Sequence, residues 1–232
     1  MTTAMAALGD LLPALAAAQT DAARPGMSLW GLFRQSFDVF TILLLAGSVV
    51  GVANVLICAM EVREKNIAPP DLARRLLDAA RGGRTDEVRD AAMRDDSFLS
   101  RVVRAGLSHS DKSTMREAAE LAASEESARW FRKIDMLSVI GNLGPLVGLA
   151  GTVWGMILAF TSLGETGGQA GPAQLSLGIS KALFHTLLGL CLAIPCLLAY
   201  GWYRGVVDRL CTRAIVSASE VIEALPAAER RG

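Results

Sequence analysis

Four side chains able to hold or pass a proton sit in or beside stretches that otherwise carry no charge: Thr152, Lys181, His185 and Thr186. A threonine hydroxyl donates and accepts hydrogen bonds, so it can relay or stabilise a proton without becoming charged. Each threonine also has a plainer reading, a bond to a carbonyl of its own helix about one turn earlier. Imidazole changes charge near neutral pH, and Lys181 and His185 lie one turn apart on one helix face. Lys181 has two readings. A cation at mid-bilayer costs about 2.5–3.5 kcal/mol on insertion scales, so its stem could snorkel to the interface as an anchor. Alternatively it lines a polar mouth, paired with Glu165 or with an acidic residue of a partner. Other chemistry lacks its signatures. Cys58, Cys191, Cys196 and Cys211 form no CxxC pair and no zinc spacing, and read as small packing residues. The cytoplasmic part has no nucleotide loop, no metal cluster and no nucleophile–base pair, and neither histidine has an acidic neighbour in a span. The chain is expected to be no enzyme and to hold no cofactor.

The elements that must position these residues follow from charge segregation. The chain has 232 residues, 52% of them hydrophobic and 20% charged, and a mean hydropathy of +0.37. Its 23 Lys and Arg balance 23 Asp and Glu, which argues against a nucleic-acid binder. Three stretches, Val39–Met60, Met136–Gly164 and Ala182–Tyr203, contain no Asp, Glu, Lys or Arg. About 20 apolar residues in a helix cross a bilayer core, so this is a membrane protein with three spans. Between the first and second spans lie 15 basic residues, between the second and third almost none, and five follow Tyr203. The positive-inside rule then predicts an outer N-terminus, a large inner loop, a short outer loop and an inner C-terminus.

This divides the chain into an N-terminal periplasmic segment (1–27), a first span with flanks (28–62) and a cytoplasmic helical loop (63–134). A second span (135–164), a periplasmic loop (165–180), a third span (181–204) and a cytoplasmic C-terminal helix and tail (205–232) follow. The N-terminal segment, with Leu8, Leu11, Leu12 and Leu15, reads as a short helix near the membrane rather than a cleaved signal. In the inner loop, Pro69-Pro70-Asp71 predicts a helix start and Gly82-Gly83 its end. Asp86–Arg94 and Ser97–Leu107 predict two more helices, and Thr114 with Glu117 predicts a capping box opening a long one. That helix runs from Met115 to Phe160. Val207, Leu210, Ala214, Ala218, Val221 and Leu225 recur at three- and four-residue steps, predicting an amphipathic extension of the third span. The fold class is an all-α membrane protein, with three transmembrane helices, two of them reaching far into the cytoplasm, and small helices between.

The second span carries Gly141, Gly144, Gly148, Gly151 and Gly155 at alternating steps of three and four. Small residues let helix backbones approach where lipid removes the hydrophobic drive, so this seam predicts close helix packing. Pro145 and Pro195 each remove an N–H and leave the carbonyl four residues earlier, on Gly141 and Cys191, without its helical donor. Spans interrupted in this way face protein or a watery cavity.

These motifs resemble a known family. Residues 143–160, Leu-Gly-Pro-Leu-Val-Gly-Leu-Ala-Gly-Thr-Val-Trp-Gly-Met-Ile-Leu-Ala-Phe, are similar to the second-span signature of the ExbB/TolQ proteins, distant relatives of MotA. Residues 178–195, Gly-Ile-Ser-Lys-Ala-Leu-Phe-His-Thr-Leu-Leu-Gly-Leu-Cys-Leu-Ala-Ile-Pro, are similar to their third-span signature, Tyr200 included. The resemblance implies a multi-pass subunit of the bacterial inner membrane, assembled as a homopentamer around a dimer of an ExbD- or TolR-like single-span protein. Protons are then the coupling ion, and their flow drives TonB-dependent import or Tol-Pal work through a TonB- or TolA-like protein. Thr152 and Thr186 fall on the family's pore-facing threonines. Lys181 departs from the pattern, standing where a Glu is common, and His185 stands where a small residue is usual. A scaffold of the same fold that has lost conduction is the alternative that Lys181 favours.

Overall fold

The computed structural model describes residues 31, 33–34, 36–165 and 172–226. The expected N-terminal helix, residues 166–171 of the expected periplasmic loop and the last six residues lie outside them. Among the described residues all regular structure is helical. Helix α1 is Val39–Glu61, followed by the short α2 (Glu64–Ile67), α3 (Pro70–Arg81), α4 (Thr85–Met93) and α5 (Phe98–Leu107). Two long helices complete the order, α6 (Lys112–Glu165) and α7 (Pro172–Ala224). At ~1.5 Å per residue, a helix of 54 residues is ~80 Å long. Helices α1, α6 and α7 are long and apolar enough to cross a membrane.

Local chemistry sets the boundaries. Asp38 caps α1, its Oδ1 accepting the Thr41 N–H at 3.0 Å and so satisfying a first-turn donor. Pro70 occupies the first turn of α3, where its missing N–H costs nothing. Gly83, with φ of 68°, takes the left-handed conformation that follows the end of α3. Ser97 caps α5 by accepting from the Ser100 N–H. The expected capping box at Thr114 is replaced. Helix α6 starts three residues earlier, and Asp111 is its cap, its Oδ2 accepting from the Ser113 N–H at 3.2 Å. Thr114 lies inside the first turn, where its hydroxyl donates to the Asp111 carbonyl at 2.8 Å. An acceptor upstream pre-empted the box. Pro145 and Pro195 lie inside α6 and α7, and both helices continue through them.

The chain forms two compact units. The larger holds residues 45–145 and those from 190 onward. Its core combines Leu76 and Val88 with Phe98, Leu99 and Val103 of α5, Ile134 and Leu137 of α6, and the expected α7 stripe. Val207, Leu210, Ala214, Ala218, Val221 and Leu225 are all buried, as their spacing predicts. Burying one such Val or Leu side chain contributes ~1.5–3 kcal/mol, so this stripe outweighs the ion pairs at the rim. Those include Arg213 with Glu64 at 3.3 Å, both well exposed, a type worth ~0–1 kcal/mol. In the same unit the Gly47-x-x-x-Gly51 step of α1 meets α7. A Cβ on Gly51 would lie 2.9 Å from the Cys196 sulfur, and one on Gly47 would lie 3.2 Å from Leu192.

The smaller unit comprises the described residues up to Leu44, with the start of α1, and residues 146–189. Here α6 and α7 pack backbone to backbone along the glycine seam. The membrane-capable helices expose Ile42, Leu43, Val49 and Val50 of α1, Leu146 and Leu149 of α6, and Leu183 and Leu187 of α7. Exposed apolar side chains of this size suit lipid rather than water.

Candidate functional site

The seam brings the two signature segments together. A Cβ on Gly148 would lie 2.8 Å from the His185 carbonyl oxygen and 3.0 Å from the Thr186 Cα. On Gly151 it would lie 2.8 Å from His185 Cβ, and on Gly155 3.0 Å from Ala182 Cβ. Gly178 reciprocates from α7, where a Cβ would reach to 2.5 Å of Ala159 Cβ. The absence of side chains at these positions therefore seats His185 and Thr186 directly on α6. Gly141 belongs to the other unit, where its face meets Leu197, and Gly144 is buried.

The two threonines differ. Thr152 donates to the Leu149 carbonyl at 2.6 Å, a bond within its own helix, and lines a groove with Val153, Met156, Ile157, Phe160 and Thr161. Thr186 instead reaches the neighbouring helix, its hydroxyl 3.5 Å from the Gly148 carbonyl. That carbonyl is one turn before Thr152, so the hydroxyls approach the same turn of α6 from two helices. They do not bond each other.

His185 is 2% exposed, and its Nε2 lies 2.9 Å from Asp38 Oδ1. The same oxygen accepts from the Thr41 N–H at 3.0 Å, while the Thr41 hydroxyl gives its one hydrogen to the Ser36 carbonyl at 2.5 Å. The Phe40 ring stands edge-on to the imidazole at a centroid distance of 6.2 Å. The expectation that neither histidine has an acidic neighbour in a span is thus corrected. Asp38 is the first charged residue before the charge-free stretch of α1, and its cap position turns the carboxylate toward α7. Its place at the edge of a span is a sequence signal, but 147 positions separate it from His185.

A cleft of about 400 Å³ opens beside this pair, lined by Ser36, Asp38, Trp154, Gly155, Lys181 and His185 among others. Lys181 is half-buried on its wall. No ion pair joins it to Glu165 among the described residues. The carboxylate that lines this cleft with Lys181 is that of Asp38.

Comparison with known proteins gives a consistent result. The MotA/TolQ/ExbB proton channel family matches residues 94–214. The Tol-Pal system protein TolQ of Pseudomonas aeruginosa is 36% identical over 103 residues, 44% of each chain. The biopolymer transport protein ExbB of Xanthomonas campestris is 34% identical over 94 residues, 38% of this chain and 35% of that one. The chain thus matches less than half the length of these relatives. Among solved structures, MotAB of C. jejuni superposes with a TM-score of 0.58 at 18% identity, covering 95% of this chain and 89% of that one. That likeness concerns the fold.

Proposed function

We propose, from the premise that this chain belongs to the MotA/TolQ/ExbB proton channel family, that it is an inner-membrane motor subunit converting proton-motive force into envelope work. The observation that carries the reading is the extent of the match, residues 94–214, which contains both signature segments and the α6–α7 seam. In this reading the subunit forms a homopentameric ring around a dimer of an ExbD- or TolR-like single-span protein, whose membrane carboxylate carries the proton. Helices α6 and α7 line the pore, with the N-terminus periplasmic and the C-terminus cytoplasmic. Thr152 and Thr186 stabilise the arriving proton through hydroxyls that stay neutral. The work delivered is TonB-dependent import or Tol-Pal function, passed on through a TonB- or TolA-like protein.

The test uses liposomes holding this protein with a single-span partner from the neighbouring gene, and reads proton flux. Thr152→Val and Thr186→Val keep the side-chain shape and remove the hydroxyl. Each variant is expected to assemble normally and to lose tenfold or more of the partner-dependent flux. Wild-type flux in the double variant would overturn the role of the hydroxyls. Lys181 supports a second reading, a scaffold of the same fold that does not conduct. Wild-type protein assembled with its partner and silent under a proton gradient would decide for it.

A further inference from the structure

The strongest unexplained chemistry is a buried imidazole with one nitrogen engaged and one not. His185 Nε2 faces Asp38 Oδ1 at 2.9 Å, and a carboxylate only accepts, so Nε2 carries a hydrogen. Nδ1 is then a bare acceptor. It is buried with no hydrogen-bond partner among the described residues, and so is the Ser36 hydroxyl. Buried polar atoms left unpaired cost ~1–3 kcal/mol each. Both orphans belong to residues lining the same cleft, whose size of about 400 Å³ admits water. We infer that His185 is a proton-loading site, taking up a proton at Nδ1 from the cleft while its Nε2–H stays on Asp38.

The step balances without a further reactant. The Nδ1 lone pair accepts a proton, the imidazole becomes imidazolium, and the Asp38 carboxylate compensates the added charge. Asp38 is a positioning residue. Held by the Thr41 backbone N–H, it fixes the tautomer by keeping the hydrogen on Nε2. The charged groups facing the cleft are few. Helix α1 brings Asp38, α7 brings Lys181, and α6 brings no titratable group, only Trp154, Gly155, Leu158, Ala159 and Ser162. Lys181 therefore opposes loading and Asp38 favours it. The site is separate from the two hydroxyls, since Thr152 lines another groove and Thr186 bonds toward Gly148. Its use in transport rests on the proton-channel reading, but its occupancy does not.

The chain has two histidines, so His109→Gln leaves His185 as the single label in protein grown with ¹⁵N-histidine. The experiment follows both ring nitrogens by NMR across pH 5 to 9 in lipid nanodiscs. Nε2 is expected to keep its hydrogen throughout while Nδ1 changes from acceptor to protonated as pH falls. An opposite charge at this range moves a titration by ~1–3 units. Asp38→Asn should accordingly lower the midpoint by a unit or more, Asp38→Glu should restore it, and Lys181→Gln should raise it. An Nδ1 that keeps one state across the range, or a midpoint unmoved in correctly assembled Asp38→Asn protein, would overturn the site. A titrating His185 in a protein that moves no protons supports the site while sinking the motor function.

Discussion

Asp95 shows how one carboxylate governs a local fold. Burial alone would raise its pKa, but the Ser97 and Ser100 hydrogen bonds and the nearby Arg104 together hold it below the ordinary carboxylate value. Its Oδ1 takes the Ser97 N–H and the Ser100 hydroxyl, each at 2.8 Å, and so fixes the turn that opens α5. A pKa lowered in the folded state gives stability that is full above the unfolded value, ~3.9, and lost as pH falls through the folded one. Asp95→Asn should therefore cost ~1–2 kcal/mol at neutral pH. Denaturant titrations should show the gap to wild type closing below about pH 4, and a gap independent of pH would contradict the charge as its source. Cys211 is the opposite case, a buried thiol pushed up to about 11, which fits packing rather than reactivity. At this scale, residue type and a place in or beside charge-free stretches singled out the threonines, Lys181 and His185 as candidates. They did not expose the Asp38 partnership, because a contact between the start of α1 and the first third of α7 has no signature in local spacing.

At the scale of elements, periodicity and capping chemistry were sufficient for most boundaries. Charge-free runs located the three long helices, and Pro70 and Gly83 bracketed α3. The errors arose where a stronger cap lay upstream, as Asp111 did for α6, or where a helix ran on past the residues taken to bound it. Thus α7 begins at Pro172, well before Lys181. The glycine seam was legible as a seam, but which helix it faces was not. That assignment makes a contrast testable. At Gly148 a methyl would meet the His185 backbone, which cannot swing aside, whereas at Gly201 nothing lies within 4 Å. Gly148→Ala should destabilise the protein in thermal melts or break its assembly. Gly201→Ala, in the same fold, should be neutral or stabilising by ~0.5–1 kcal/mol through helix propensity. Equal melting temperatures for the two variants would show that the α6–α7 approach is looser than described.

For the whole molecule, the charge distribution makes a vectorial prediction. Cysteines introduced at exposed Ser110 and at Gly168 should label from opposite sides of intact inner-membrane vesicles, with Ser110 cytoplasmic. Labelling of both from one side would remove the three-span topology and with it the proposed placement of the termini. The larger unit also has a fastener at its margin. Lys112, in the first turn of α6, donates to the carbonyls of Leu225, at 2.8 Å, and Glu223. Arg116 adds an ion pair with the Glu223 carboxylate, whose pKa it lowers. A cation in a first turn is misplaced with respect to its own helix dipole, but here it sits at the negative end of another. The lysine thus belongs electrically to α7 while covalently part of α6, and it closes a loop of more than a hundred residues without a covalent bond. Such a closure can be undone by neutralising one amine. Acetylation of Lys112 would free the last turn of α7, and the tail would be the first place a protease could enter.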